Sequence, residues 1–234
     1  MEFHEIDRMA KKLGADIFGV ADLDLLREYE TFPENLLDSF DFGISIGVKL
    51  PDPLFDMLPD SRNLYSRYYV VANDMLDRIA FEISRAIESE GYEALPIPAS
   101  KVLSDLHWRS YVSHKAIARA AGVGWVGRNL LLITPQFGPR VRLASVLTDM
   151  PLKAGKPARN RCGVCRECID SCITQALRYS EFDDYPERDE VFEVDKCAAK
   201  LKEFASNPDI GTMVCGICIK VCPWGKLGNK TKGN

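Results

Sequence analysis

The sequence CGVCRECIDSC at residues 162–172 and the sequence CGICIKVC at residues 215–222 hold seven of the chain's eight cysteines. The first run has the spacing Cys-x2-Cys-x2-Cys-x3-Cys, and the second has Cys-x2-Cys-x3-Cys followed by Pro223. Three thiolates at successive spacings of three each reach a different iron of one 4Fe-4S cubane, and the fourth thiolate of such a run ligates the other cubane. The runs therefore predict a small domain with two 4Fe-4S clusters.

The number of cysteines matches this prediction, because two such clusters need eight thiolates and the chain has eight cysteines. A symmetric second run would have a cysteine at Thr212, so Cys197 is assigned in its place. The predicted ligand sets are Cys162, Cys165, Cys168 and Cys222 for one cluster, and Cys172, Cys197, Cys215 and Cys218 for the other. Two structural zinc sites and four disulfides are the alternatives for the same residues.

Composition restricts the class of protein. The chain has 234 residues, 46% hydrophobic and 27% charged, which is typical of a globular protein. It lacks a long uninterrupted apolar run and an apolar N-terminal core, so neither a transmembrane helix nor a signal peptide is expected, and we predict a cytoplasmic protein without membrane contacts. The formal net charge of −4 disfavours sequence-independent binding to nucleic acid.

The first 150 residues alternate helical and strand-like patterns, which predicts an α+β layered domain. Helices are expected near 2–13, 61–90 and 111–121, and strands near 17–20, 42–48, 92–97, 130–133 and 141–147. The domain boundaries follow from composition: an α+β domain at 1–152, a basic linker at 153–161, a two-cluster ferredoxin-like domain at 162–225 and a flexible tail at 226–234.

A glycine motif follows the helix predicted at 111–121. Gly122, Gly124 and Gly127 match G-x-G-x-x-G, but a helix precedes them and a strand follows, which is the reverse of a dinucleotide-binding site. One interpretation is a helix C-cap with Gly122 as the residue after the last turn. The other is a nest of backbone amides that holds an anionic or amide-bearing cofactor, with Arg128 and Asn129 beside it.

Titratable and aromatic residues crowd the segment before that motif. Asp105, His107 and Tyr111 are candidate proton donors for a reaction in a pocket wall. Trp108, His114 and Trp125 are candidate residues of the cofactor site, although a solvated loop and core packing explain the same pattern. Trp224 is expected to shield a cluster from water.

Three segments resemble a known family. These are AAGVGWVGRNLLLITPQFGPRVRLASVLTD at 120–149, CGVCRECIDSCITQAL at 162–177 and CGICIKVCPW at 215–224, which are similar to epoxyqueuosine reductase and its relatives. That family is related to the corrinoid-dependent reductive dehalogenases. A lone cysteine in DKCAAKLKEF at 195–204 also matches the family pattern.

The resemblance implies a nitroreductase-like α+β domain that holds a base-off cobalamin, followed by a two-cluster ferredoxin domain that feeds electrons to cobalt. By this resemblance Gly122, Gly124, Gly127, Arg128 and Asn129 border the corrin or its nucleotide tail. It also implies an electron donor such as a ferredoxin or flavodoxin. His114 is a candidate cobalt ligand in such a site, although the family holds cobalt without a ligand from the protein.

The chain departs from the family pattern in two ways. An ungapped match puts Trp108 where the tRNA-modifying enzymes have an aspartate proton donor and His114 where they have a glutamate. The chain also stops twelve residues after Cys222, where those enzymes continue into a helical-repeat domain. We therefore expect a reductase acting on an unknown small molecule rather than on tRNA. The alternative is an electron-transfer module without cobalamin that docks to a partner enzyme.

Overall fold

The computed structural model describes residues 2–103, 108–183 and 185–227. It is a mixed structure of helices and strands. The helices are α1 (Phe3–Lys12), α2 (Pro53–Asp56), α3 (Arg62–Ser89), α4 (His114–Ala120), α5 (Glu167–Asp170), α6 (Arg188–Val191), α7 (Val194–Ser206), α8 (Ile217–Lys220) and α9 (Trp224–Leu227), with a 3-10 helix at Leu23–Leu26. The strands are β1 (Ile17–Asp22), β2 (Phe42–Lys49), β3 (Ala94–Ile97), β4 (Trp125–Val126), β5 (Leu132–Ile133) and β6 (Val141–Thr148).

A four-stranded sheet with the order β1-β2-β6-β3 forms the centre of the N-terminal part. Strands β1 and β2 pair antiparallel, with Ile17 opposite Gly47. Strands β3 and β6 also pair antiparallel, with Ala94 opposite Thr148. The alternation of helix and strand predicted from the sequence is confirmed, and the antiparallel pairing places it in the α+β class.

The long helix α3 confirms the helix predicted for 61–90. Its apolar stripe of Leu76, Ile79, Ile83 and Ile87 is at most 1% exposed, because residues three and four apart lie on one face of a helix. Helix α4 ends as the C-cap interpretation predicts. Gly122 has φ +76° and its N–H donates to the Arg119 carbonyl, so this glycine terminates the helix.

Contacts divide the chain into two compact units. The first unit comprises residues 1–48, 72–125 and 142–158, and the second comprises 49–71, 126–141 and 159–234. The predicted linear boundary at 153–161 therefore describes the chain incompletely. The cysteine-bearing segment is too small to bury a sufficient core alone, and it packs with two earlier segments of the chain.

The segment predicted as a linker is hydrogen bonded along its first part. The Gly155 N–H donates to the Val20 carbonyl at 2.7 Å, and the Ala158 N–H donates to the Arg119 carbonyl at 3.1 Å. Residues 153–158 therefore belong to the first unit. Over the three described stretches of the chain, no helix is long and apolar enough to cross a membrane.

Candidate metal centre

The eight cysteines lie in the second unit on short helices and the turns between them. Each of the two cysteine runs begins with Cys-Gly, and these glycines, Gly163 and Gly216, have φ of +54° and +82°. A left-handed residue is needed there because the chain turns within one residue, and glycine adopts that conformation without steric cost. Cys197 lies on α7, apart from both runs.

The structure brings the cysteines together as two sets of four. The Cys168 thiol interacts electrostatically with Cys162, Cys165 and Cys222. The Cys218 thiol interacts with Cys172, Cys197 and Cys215. These groups have the same members as the two ligand sets predicted from the spacing. Cys218 also interacts with Cys168 of the first set, so the two sets are neighbours.

Burial keeps most of these thiols protonated when no metal is present. Burial and, to a lesser extent, the neighbouring thiols together raise the pKa of Cys168 to about 12. Burial and nearby thiols likewise raise the pKa values of Cys197 and Cys222 to about 11 each. Burial also raises the pKa of Cys218. Ionising a crowded set of thiols is unfavourable unless cations neutralise the charge, so this donor set suits iron.

Cys172 differs from the other ligands. Burial raises its pKa, but hydrogen bonds outweigh that effect, and the net pKa is lowered. The Thr174 hydroxyl lies 3.4 Å from the Cys172 Sγ, and backbone N–H groups of residues 174, 176 and 177 also donate to the thiolate. The turn after Cys172 therefore stabilises a thiolate before iron binds.

The arrangement differs from that of a site for one ion. Among the residues that the structure describes, no three His, Cys, Asp or Glu side chains converge as the ligands of a single metal ion would. A structural zinc site requires four ligands around one point, whereas a cubane binds each thiolate through a different iron. Two sets of four separated thiols are thus compatible with cubanes.

Arg128 and Asn129 position the cysteine-bearing backbone. The Arg128 guanidinium donates to the carbonyls of Ser180 and Gly163, and its Cζ lies 4.4 Å from the Tyr179 ring centroid. The Asn129 side-chain amide donates to the Cys218 carbonyl at 3.4 Å. Both residues also line a cavity with Cys162, Cys165, Cys168 and Cys222. Their described contacts are therefore with the cysteine segments.

Arg140 is a buried charge beside the first cysteine set. It is 1% exposed, and its Nη2 lies 3.2 Å from Asp56 Oδ1 while Nε lies 3.6 Å from Asp52 Oδ1. Its Nη1 has no hydrogen-bond partner among the described residues and lies against Gly225, where a Cβ would collide with it. The charge also lowers the pKa of Cys222, although burial raises that pKa more. A buried unsatisfied donor next to these thiols fits an anionic cluster.

The first turns of α3 hold the second cysteine run. The Arg62 Nε donates to the Cys215 carbonyl at 3.5 Å, and its Cζ stacks 3.9 Å from the Phe204 ring centroid. The Lys220 ammonium donates to the Leu58 carbonyl at 2.5 Å. Sequence reasoning did not identify Arg62 or Arg140, because each acts across more than 80 residues of chain.

Of the three candidate proton donors, the structure describes Tyr111 alone. Asp105 and His107 lie outside the described residues, so their roles stay predictions. Tyr111 belongs to the first unit, where its carbonyl accepts from the Phe32 N–H at 2.8 Å and its ring centroid is 6.5 Å from that of Phe32. Trp108 is half-buried with φ +67°.

His114 is a packed side chain rather than a metal ligand in this structure. Its Nε2 lies 2.9 Å from the Pro98 carbonyl and its Nδ1 lies 2.8 Å from the Ser145 Oγ. A carbonyl only accepts, so Nε2 carries the proton and Nδ1 accepts from the hydroxyl. Burial lowers the pKa of His114 to about 4, so the ring is neutral. Both ring nitrogens are engaged, and the predicted cobalt bond is not supported.

The glycine motif and Trp125 serve mainly packing. Trp125 is 1% exposed. A Cβ on Gly127 would lie 2.6 Å from Ile133 Cγ1, so the chain passes too close there for a side chain. Gly124 is buried, whereas Gly122 is exposed and lines a cleft of about 630 Å³ that Phe3 and Phe18 also line. Of the three glycines of the motif, only Gly122 is therefore accessible to a cofactor, as a nest of backbone amides would require.

Several of the side chains predicted to border a cofactor are engaged in contacts within the protein. Arg128 and Asn129 donate to carbonyls of the cysteine segments, and Trp125 is buried. His114, a candidate from the local residue pattern, is engaged through both ring nitrogens.

Comparison with known proteins agrees with the cysteine geometry. Residues 161–225 match the family described as the 4Fe-4S double cluster binding domain. An epoxyqueuosine reductase of Leadbetterella byssophila is 29% identical over 94% of this chain and 78% of its own length.

Two solved structures have a similar fold. An epoxyqueuosine reductase from Bacillus subtilis has a TM-score of 0.64 and 22% identity, over 95% of this chain and 65% of that one. A catabolic reductive dehalogenase has a TM-score of 0.72 and 20% identity, over 94% of this chain and 31% of that one. This chain thus spans about two thirds of the length of the epoxyqueuosine reductase and about one third of the length of the dehalogenase.

The cysteine spacing, the two sets of four thiols and these similarities agree with one another. Together they assign an iron–sulfur redox role to the second unit. The chain contains a 4Fe-4S double cluster binding domain at 161–225, and it is similar to epoxyqueuosine reductases over most of its length.

Proposed function

We propose that the chain passes electrons one at a time through two 4Fe-4S clusters to an acceptor that performs a reduction on an unknown small molecule. The observation that supports this most is the crossed pairing of the cysteines. Each run supplies thiols to both sets, as two-cluster ferredoxins require. Neighbouring clusters held by interleaved ligands allow an electron to move from one to the other.

The ligand assignment has a direct test. Cys172→Ser should remove or alter the cluster held by Cys197, Cys215 and Cys218. It should leave intact the cluster held by the other three cysteines of the first run. Cys168→Ser is the matched variant and should affect the other cluster. Electron paramagnetic resonance and iron analysis of the reduced, anaerobically reconstituted proteins distinguish the two. If Cys172→Ser instead removed the cluster assigned to Cys162, Cys165 and Cys168, the crossed assignment of ligands would be wrong.

The acceptor that we propose is a base-off cobalamin, held by a nitroreductase-like first unit. Similarity to epoxyqueuosine reductases and a fold shared with a catabolic reductive dehalogenase support this proposal. A bound cobalamin supplies a cobalt centre that stores electrons for reductive chemistry. Asp105, His107 or Tyr111 would deliver the proton.

A second candidate function is an electron-transfer module without its own cobalamin, which docks to a partner enzyme. It is favoured by Trp108 at the position of the family's acid and by the engagement of His114, Arg128 and Asn129 in protein contacts. Anaerobic titration with cobalamin, followed by absorbance and equilibrium dialysis, separates the two functions. Saturable binding of one cobalamin per chain supports the reductase, whereas no binding supports the module.

We do not propose tRNA as the substrate of this chain. One similar structure is an epoxyqueuosine reductase with an epoxyqueuosine-modified tRNA stem loop. The net charge of −4 of this chain gives little general attraction for a polyanion. A salt-sensitive shift of tRNA in a gel would overturn this part of the proposal.

A further inference from the structure

The loop between Cys162 and Cys165 is the most exposed part of the first cysteine set. Val164 is 85% exposed, the highest value among the large hydrophobic side chains of the described residues. Gly163 beside it is also exposed, and the space where its Cβ would stand is open. An apolar side chain in this position contributes little to folding, because it remains in water.

Positive charge surrounds this loop. Residues 159–166 contain Arg159, Arg161 and Arg166, all exposed, and no acidic residue, although the whole chain has a net charge of −4. The Arg161 Cζ lies 4.8 Å from the Trp224 ring, and the Arg166 Cζ lies 4.8 Å from the Tyr179 ring centroid. These stacking contacts hold two guanidinium groups in the neighbourhood of the cysteine loop.

Acidic side chains offset part of this charge. Glu167 and Asp170 on α5 are exposed, and Asp170 Oδ1 lies 3.5 Å from Arg166 Nε. Such an exposed pair is weak and leaves the arginine available to a partner's carboxylate. The loop is thus a basic rim around an apolar centre, which matches the composition of a small transient interface.

We propose that the loop at 162–166 is where an acidic electron-donor protein docks and reduces the first cluster. The proposal rests on the cluster assignment made under the proposed function. Electron transfer slows steeply with distance, and Val164 stands between two of the cluster's assigned ligands. In each encounter the donor loses one electron and the cluster gains one. Opposite charges on the two proteins accelerate the encounter and orient it.

The variants Val164→Asp and Arg166→Glu test this surface on the reconstituted full chain. The matched control is Arg85→Glu, which reverses an exposed arginine that is paired 3.5 Å from Glu82 on α3. The probe is a pre-reduced, acidic flavodoxin mixed with oxidised protein in an anaerobic stopped-flow instrument. The readout is the second-order rate of bleaching of the cluster absorbance at low and high salt.

We expect the wild-type and Arg85→Glu rates to be equal and to fall with salt. The rates of Val164→Asp and Arg166→Glu should be about tenfold lower at low salt and nearly independent of salt. Rates equal to that of Arg85→Glu would overturn the proposal. The proposal would also be overturned if Val164→Asp and Arg166→Glu were reduced by flavodoxin at the wild-type rate but lost binding to RNA. The basic residues around the loop would then bind a nucleic acid rather than an electron donor.

Two further measurements separate this proposal from the proposed function. Excess dithionite should bleach all variants to the same final amplitude, which shows that the clusters are intact. The methyl viologen radical cation, a small donor of opposite charge to flavodoxin, should not react more slowly with Val164→Asp. Because the readout is cluster reduction, failure to bind cobalamin would leave the docking result unaffected.

Discussion

At the scale of single residues, Arg140 carries the strongest consequence for redox chemistry. Its buried charge lies beside the first cysteine set, and its Nε and Nη1 have no hydrogen-bond partner among the described residues. Arg140 should therefore stabilise the reduced and more negative cluster. Arg140→Met should lower the reduction potential of that cluster. A tenfold smaller reduced fraction at a fixed applied potential corresponds to about 59 mV for one electron.

The measurement is a potentiometric titration followed by electron paramagnetic resonance. Arg140→Lys keeps the charge and should retain most of the potential, whereas Gly225→Ala should shift it by pushing the guanidinium aside. Arg85→Met, far from the cysteines in sequence, should leave both potentials unchanged. Equal potentials in Arg140→Met and the wild-type protein would show that Arg140 only packs.

A second prediction at this scale concerns His114 and acid stability. The pKa of His114 is about 4 in the folded chain against its ordinary 6.5. Between these values the unfolded chain binds a proton that the folded chain does not, so the free energy of unfolding falls as pH falls. The loss should reach about 1 kcal/mol at pH 5.5 and at most about 3 kcal/mol below pH 4.

Urea unfolding of the first unit, followed anaerobically by circular dichroism between pH 7.5 and 5.5, checks the effect. His114→Gln should be less stable at pH 7.5 but should lose the part of the pH slope that His114 supplies. His4→Gln changes an exposed imidazole and should keep the wild-type slope. An unchanged slope in His114→Gln would contradict the assignment of a neutral buried ring.

At the scale of elements, two glycines in the left-handed backbone conformation allow the cost of backbone strain to be measured apart from the cost of a steric collision. Gly138 and Gly163 have φ of +56° and +54°. A Cβ on Gly138 would collide with the backbone N of Gly225 and lie 2.7 Å from its Cα, whereas a Cβ on Gly163 would meet nothing within 4 Å. Gly163→Ala should therefore cost about 1–2 kcal/mol from strain alone.

Gly138→Ala should cost clearly more, because backbone atoms of α9 cannot move aside as a side-chain end can. The check is thermal unfolding together with the iron content after reconstitution. We expect Gly138→Ala to lower both the melting temperature and the iron content further than Gly163→Ala does. Equal effects of the two substitutions would mean that α9 moves aside without cost. The close approach of Gly138 to Gly225 would then make no contribution to stability.

The elements also show what sequence can predict. Helices α3 and α4 were predictable because their signals, an apolar stripe and a terminal glycine, are local. The cysteine sets were predictable because cluster chemistry constrains spacing. The contacts of Arg140 with Asp56 and of Arg62 with Cys215 were not, since each joins residues 84 or more positions apart. Nothing in the local pattern marks either arginine as a partner of the cysteine segment.

At the scale of the whole molecule, the two units differ in what holds them together. The first unit has a four-stranded sheet and a buried helix stripe, whereas the second has short helices around eight cysteines and a small apolar cluster of Val126, Leu130 and Val191. A linear reading of the sequence missed that residues 49–71 and 126–141 belong to the second unit. Their apolar residues read locally as part of the N-terminal domain.

This difference predicts how the molecule responds to iron loss. Removing the clusters anaerobically with a chelator should unfold the second unit, because metal binding supplies much of the folding free energy of small metal domains. The first unit should remain folded on its own core. Hydrogen exchange with mass spectrometry should then show lost protection at 49–71, 126–141 and 159–227, and retained protection in β1, β2 and β6.

The segments 49–71 and 126–141 make this experiment discriminating. If the cysteine segment folded as an independent domain with the boundaries predicted from composition, exchange would increase only after about residue 159. If the chain were one cooperative body, protection would fall everywhere. Loss confined to the three segments of the second unit is the outcome that follows from the contacts of Arg62, Asn129 and Arg140 with the cysteine-bearing chain.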